Sequence, residues 1–242
     1  MKLKLKKIIG LILIKVFGKV YLRSITGIGH YENAILSITE KEYGYFNSVF
    51  KNQACDMAQQ PVPWFTYAAI EFIKQLNLVD KVVFEWGSGN SSLFFANRVK
   101  NIYSIEHNQE WYDKVKANKM QNQEVEFVES TIDSYVNSIN KRDTFYDIII
   151  IDGDLFRKEC ALEAIKYLNK GGIIILDNSD WFKGAAKVLS DAGLIQADYH
   201  GFGPINDYTW VTSIFYHKEY KFEYLNNIRP AYANGGMIHL YN

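Results

Sequence analysis

The chain has 242 residues, 48% of them hydrophobic and 22% charged, which allows one sizeable α/β domain with appended segments and little more. Lys and Arg total 27 and so do Asp and Glu, so no basic field argues for nucleic acid as a partner. Cys55 and Cys160 are the only two cysteines. They form neither a zinc spacing nor a disulfide framework, and a reducing, cytoplasmic setting is expected.

The N-terminus is basic and then apolar. Lys2, Lys4, Lys6 and Lys7 precede a run from Ile8 to Ile14, followed by Lys15, Val16, Phe17 and Gly18. No small-residue cleavage site follows, unlike a signal peptide. The run also falls short of the about 20 apolar residues that span a bilayer. A helix packed on the domain is the favoured reading, with a basic helix lying on an anionic membrane as the alternative.

Residues 1 to about 60 read as a helical and irregular cap without strand pattern. After Pro61 and Pro63 the stretch Trp64–Leu76 reads as a helix, with Phe65, Ala68, Ala69, Phe72, Ile73 and Leu76 on one face. Short apolar runs then alternate with helical stretches. The runs are 82–84, 102–105, 125–128, 148–151, 173–176, 195–197 and 213–216. The helices fall near 93–98, 110–118, 132–139, 159–168 and 183–191. Such alternation predicts βαβ units and a parallel sheet covered on both faces. Between Tyr199 and Val211 stand Gly201, Gly203, Pro204 and Asn206, which is loop chemistry, so the last two strands form an antiparallel pair. The expected architecture is a Rossmann-like doubly wound sheet of seven strands with a terminal hairpin. It occupies residues 61–217, between the cap and a tail at 218–242.

Ligands in such sheets sit at the carboxyl ends of the strands. The first strand ends in Glu85-Trp86-Gly87-Ser88-Gly89-Asn90-Ser91-Ser92, where glycines permit a tight turn and close approach of backbone to a ligand. A dinucleotide fingerprint would place glycine or alanine at position 92. Ser92, with Glu85 before the turn, favours a cationic sulfonium over a pyrophosphate, hence S-adenosylmethionine over NAD. Glu106 ends the second strand, where an acid accepts hydrogen bonds from ribose hydroxyls.

These segments, with Tyr103-Ser104-Ile105-Glu106-His107 and Tyr146-Asp147-Ile148-Ile149-Ile150-Ile151-Asp152-Gly153, resemble the successive motifs of class I S-adenosylmethionine-dependent methyltransferases over residues 64–216. The resemblance implies a cofactor site at Glu85, Gly87, Gly89, Ser91, Glu106, His107 and Asp152. The adenine side falls at Ser130, within a Val128-Glu129-Ser130-Thr131 stretch that departs from the family's usual acid after glycine.

Asp152 and Asp154 follow the fourth strand, and Asp177 and Asn178 the fifth. Two carboxylates and an amide oxygen suit a hard cation such as Mg²⁺. The 25-residue separation of Asp152 and Asp177 resembles the metal-dependent O-methyltransferases of the caffeoyl-coenzyme A and macrocin types. That resemblance implies Asp152, Asp177 and Asn178 as metal ligands and Asp154 as general base toward a small-molecule or sugar hydroxyl. The alternative for this cluster is neutralisation by Arg157 without metal. For the whole chain the other readings are an NAD-dependent oxidoreductase, which Glu85 and Ser92 oppose, and a methyltransferase-like binding module without catalysis.

Overall fold

Four consecutive isoleucines, Ile148–Ile151, are each fully buried at the centre of the sheet, and they show how the core is built. The structure is a computed structural model describing residues 28–225 and 230–237; the basic and apolar run 2–14 lies outside the described residues. No helix among the described residues is long and apolar enough to cross a membrane.

Seven strands alternate with helices: β1 Val82–Trp86, β2 Asn101–Glu106, β3 Gln123–Phe127, β4 Tyr146–Ile151, β5 Leu168–Leu176, β6 Ile195–Gly201 and β7 Trp210–Tyr216. Their order across the sheet is β3-β2-β1-β4-β5-β7-β6. β1 to β5 pair in parallel, and β7 runs antiparallel to both β5 and β6. This is the expected doubly wound sheet with its terminal hairpin. The fall of β7 between β5 and β6 makes it the one reversed strand.

Successive side chains on a strand point to opposite faces, and the two core clusters divide by that rule. Val83, Ile148, Ile150, Ile173, Ile175 and Ile214 lie in one. Phe84, Trp86, Ile149, Ile151, Ile174, Leu176 and Phe215 lie in the other. Central parallel strands are therefore apolar on both sides, which is why they read as unbroken runs.

The helices preceding β1 are α1 Ile28–Lys41, α2 Tyr45–Lys51 and α3 Tyr67–Lys74. Those between later strands are α4 Asn90–Ala96, α5 Gln109–Ala117, α6 Ile132–Tyr135, α7 Arg157–Tyr167 and α8 Lys183–Asp191. Ala54 and Val62, near the end of the cap, and Phe222 of the tail join the core cluster of the sheet.

Two helices are shorter than the sequence predicts. The helix expected from Trp64 begins at Tyr67, because the Thr66 N–H donates to the Thr212 hydroxyl at 2.9 Å and the Tyr67 N–H to the Phe202 carbonyl at 2.8 Å. Residues 64–66 are thereby bound to β7 and its approach loop. The helix expected over 132–139 changes at Val136 into a 3-10 helix, Val136–Lys141. There the Tyr135 carbonyl accepts from Trp86 Nε1 at 2.9 Å and the Ser138 hydroxyl at 2.6 Å.

Truncating Ile149, wholly buried in β4, to alanine is expected to cost about 2–5 kcal/mol. The same change at Ile195, 58% exposed on edge strand β6, is expected to cost less than about 0.5 kcal/mol. Urea unfolding of the two variants measures the contrast.

Candidate functional site

The carboxyl ends of β1, β2, β4 and β5 and the start of β7 surround a cavity of about 540 Å³. Because β7 is reversed, its first residue, Trp210, lies at the same rim as the last residues of the parallel strands.

The turn after β1 is latched on both sides. The Gly87 N–H donates to the Ile105 carbonyl at 2.9 Å, and the Asp152 and Gly153 N–H groups donate to the Trp86 carbonyl at 3.1 and 2.7 Å. Gly87 has φ +90°, and a Cβ there would stand 2.8 Å from the Gly153 nitrogen. A Cβ on Gly153 would in turn collide with the Tyr135 hydroxyl. The two glycines form a bare backbone cradle on the cavity floor.

Glu85 does not reach that floor. It has no exposed surface, and its carboxylate accepts from the hydroxyls of Ser91 and Ser92 at 2.5 Å each and Ser104 at 2.7 Å. The Gly89 N–H donates to Ser92 Oγ at 3.0 Å, so the acid holds the turn and the start of α4 from beneath. The expectation that Glu85 faces a cofactor is corrected, and the cause is strand alternation. Glu85 shares the face of Val83, which α4 covers. Burial raises its pKa from 4.5 to about 7, against the lowering effect of the three hydroxyls.

Glu106 does face the cavity, at the tip of β2, and is 4% exposed. Its Oε2 accepts from the Ser88 N–H at 3.1 Å and the Ser88 hydroxyl at 3.0 Å. Its Oε1 accepts from the N–H groups of His107 at 2.9 Å and Asn108 at 2.8 Å. Beside it, His107 Nδ1 is buried with no hydrogen-bond partner, while the residue lines the cavity. Trp111 on α5 covers the turn, its Nε1–H donating to the Ser88 carbonyl. Asn108 caps α5 by accepting from the Trp111 N–H at 2.9 Å.

Arg157, on the first turn of α7 and 5% exposed, fastens the tips of β4 and β5 together. Its Nε donates to the Gly153 carbonyl at 2.7 Å, one terminal nitrogen to the Asp177 carbonyl, and the other to the Asp152 carbonyl at 2.9 Å. That last nitrogen also lies 3.5 Å from Asp152 Oδ1. The guanidinium stacks on Phe182, 4.1 Å from the ring centre. Asp177 Oδ1 accepts from Trp210 Nε1 at 3.0 Å and the Thr212 hydroxyl at 2.5 Å. Burial and then the neighbouring Asp177 drive the Asp152 carboxyl upward, against the pull of Arg157. Burial likewise raises Asp177, against its hydrogen bonds from Thr212 and Trp210.

These donors do not fit Mg²⁺. One oxygen of Asp177 is committed to Trp210 and Thr212, and the Arg157 guanidinium already stands 3.5 Å from the Asp152 carboxylate. No cluster of three or more His, Cys, Asp or Glu side chains able to hold a metal occurs among the described residues. The expected ligand set Asp152, Asp177 and Asn178 is brought to one rim, with Arg157 beside the Asp152 carboxylate. Asn178 lines the cavity in a left-handed conformation, φ 52°.

Of the residues singled out from the sequence, Gly87, Ser91, Glu106, His107, Asp152, Asp154, Asp177 and Asn178 line the one cavity. Gly89 lies beneath the Trp111 ring, and Ser130 is exposed beyond β3; neither lines it. Trp86 is wholly buried in the core, and Cys160 is a buried thiol. The cavity also takes in Trp64, Ser88, Asn108, Trp111, Asn206, Tyr208 and Trp210. Ser88 was readable from its place within the turn; the aromatic residues come from separate segments that only the tertiary fold unites.

No family model matches the chain, and no curated protein does. Among solved structures, precorrin-6y C5,15-methyltransferase from Geobacter metallireducens is 17% identical with a TM-score of 0.49, over 62% of this chain and 87% of that one. Precorrin 8w decarboxylase from Methanobacterium thermoautotrophicum is 16% identical with a TM-score of 0.47, over 69% of this chain and 97% of that one. N-methyltransferase NodS from Bradyrhizobium japonicum is 11% identical with a TM-score of 0.44, over 57% and 86%. Similarity at this level says nothing of activity or substrate.

Two outcomes are expected. Since the folded protein keeps a proton on Glu85 up to about pH 7, the stability this provides is full below pH 4.5 and declines as pH rises through 7. Glu85→Gln is therefore expected to flatten the fall of melting temperature between pH 5 and 8. And if Arg157 already compensates the acids, neither millimolar Mg²⁺ nor a chelator shifts the wild-type melting temperature. A saturable stabilisation by Mg²⁺ would show that the cation site exists after all.

Proposed function

We propose that this chain is an S-adenosylmethionine-dependent methyltransferase acting on the hydroxyl of a small molecule or sugar. The observation that carries the reading is Glu106, a nearly buried carboxylate that faces the cavity across the bare Gly87–Gly153 cradle. An acid in that position accepts hydrogen bonds from the two hydroxyls of a ribose. To receive them, the Ser88 hydroxyl rotates off Oε2. His107 Nδ1, buried without a hydrogen bond and 3.4 Å from Glu106 Oε1, is a further polar atom at that end of the cavity.

Charge separates a sulfonium from a dinucleotide. The cavity is lined by Glu106, Glu110, Asp152, Asp154 and Asp177, against Lys114 and Arg157. Lys114 pairs with Glu110 at 2.9 Å, and Arg157 is committed to the β4 and β5 tips. A diphosphate would meet an acidic lining, with the Gly89 N–H already donated to Ser92. A cation is attracted to the same surface.

When bound, S-adenosylmethionine supplies an electrophilic methyl group. The residues of this chain do the rest. The cradle and Glu106 hold the nucleoside end along β1 and β2. Asp152, steadied by Arg157, lies between that end and the acceptor. With an acceptor hydroxyl beside that methyl group, Asp154, which lines the same cavity, would take the hydroxyl proton as the methyl is transferred. The products are a methyl ether and S-adenosylhomocysteine.

Calorimetric titration with S-adenosylmethionine and, separately, NAD tests the reading. Saturable binding of S-adenosylmethionine alone is expected. Hydrogen bonds to a charged group are worth about 1.5–3 kcal/mol each, so Glu106→Ala is expected to weaken affinity at least about tenfold. Glu106→Gln, with an unchanged melting temperature, separates binding from folding. Preference for NAD, or equal affinity in the Glu106 variants, would refute the assignment.

A further inference from the structure

The cavity extends along the sheet from the β2 tip to β7, across β1, β4 and β5. With neighbouring strands about 4.8 Å apart, those four steps span roughly 19 Å. Glu106 and the glycine cradle sit at one end, and the other end is differently built. There Trp181 and Tyr208 stand 58% and 45% exposed, and Trp64, at 45%, lines the same cavity. Trp181 and Tyr208 have ring centres 6.1 Å apart and planes tilted by 34°. Tyr208 meets Trp210 at 6.0 Å, and Trp210, 2% exposed, is fixed by its bond to Asp177. Large rings left in water along a cavity, one end anchored in the core, form a surface for a partner ring.

The charge on this end has one sign. Arg157 is its only lining cation among the described residues, and its donors are spent on Gly153, Asp152 and Asp177. Asp154 is exposed and makes no ion pair with any described residue. An anionic acceptor would meet carboxylates and the negative faces of the aromatic rings. A cation is drawn to both. The remaining polar groups, Asn178 and Asn206, carry amides that both donate and accept, which suits hydroxyls.

Building on the methyltransferase reading, we infer that the acceptor is an amino sugar. Its ring stacks on Trp181 and Tyr208, with its protonated amine over the aromatic faces and a neighbouring hydroxyl turned toward Asp154. The rings select for positive charge, the amides for hydroxyls, and the acidic lining of the described residues rejects phosphorylated or uronic sugars.

The test uses the full chain with saturating S-adenosylhomocysteine, so that no turnover occurs. Three disaccharides serve as probes: a β-1,4 glucosamine dimer, cellobiose, and a glucuronic-acid-containing dimer. Saccharide binding is followed by tryptophan fluorescence and by ligand NMR. The glucosamine dimer is expected to bind about five- to thirtyfold more tightly than cellobiose, and the acidic dimer not measurably. Trp181→Leu keeps apolar surface but removes the π face, and is expected to weaken the glucosamine dimer more than cellobiose, so that most of the preference is lost. Equal binding of the amine and neutral dimers, binding of the acidic one, or binding of none overturns the inference. Calorimetry of S-adenosylhomocysteine in the same samples reports on the cofactor reading separately. If it binds while the saccharide order fails, only the acceptor class falls. If it does not bind, methyl transfer falls, and the saccharide order alone decides whether the subsite stands.

Discussion

A single guanidinium, that of Arg157, fixes the geometry on which the site depends. Strands that end side by side leave their last carbonyls without ladder partners, and here β4 and β5 are each followed by an aspartate. Arg157 answers both needs, donating to three carbonyls and facing the Asp152 carboxylate. Its planar fork and permanent charge suit that role where a lysine would not. Removing one partner of such a buried set leaves the others uncompensated, typically at about 3–5 kcal/mol. The same cation holds Asp152 at the cavity wall and relieves the repulsion between the two acids. Local packing, charge balance and the position of a reactive side chain are thus one interaction viewed three ways.

A second acid works in the opposite manner. Glu85 carries no cation beside it and is satisfied by three serine hydroxyls. Neutral donors soften the burial of a carboxylate without cancelling it, and its upward pKa follows. Glu106, by contrast, is satisfied by backbone N–H groups and a serine at the edge of the cavity. Three acids at three neighbouring strand ends therefore have distinct duties: one braces the turn from below, one faces the nucleoside end, one is steered by arginine.

Much of this was legible in the sequence. The run Ile148-Ile149-Ile150-Ile151 could only be a strand covered on both faces, and alternation with helical stretches gave the parallel sheet. Gly201, Gly203 and Pro204 marked the change to a hairpin. Glu106 was readable because an acid ending a strand has one place to go. Glu85 was not, since an acid before a turn does not announce which face of its strand it occupies; the serines at 91, 92 and 104 were the missed signal. Asp152 and Asp177 suggested a metal by spacing alone. Arg157 stood five residues from Asp152 in plain view, but its reach to the Asp177 carbonyl depends on how α7 leaves β4. Trp64 and Trp111 share no sequence pattern with the 203–210 stretch that carries Tyr208, and only the folded chain brings all three to one cavity.

The reversal of β7 has a consequence for how such a molecule can change. A strand running the other way delivers its beginning, and the loop before it, to the rim where its neighbours end. Residues 202–209 therefore border the acceptor end while remaining several strands away from the nucleoside end. Gly203 leaves no room for a side chain against Phe65 and Trp210, so change there falls on the exposed Asp207, Tyr208 and Thr209. On the proposed reading, this loop would meet the acceptor from a stretch of chain far in sequence from Gly87 and Glu106, so the two ends of the cavity can change at different rates.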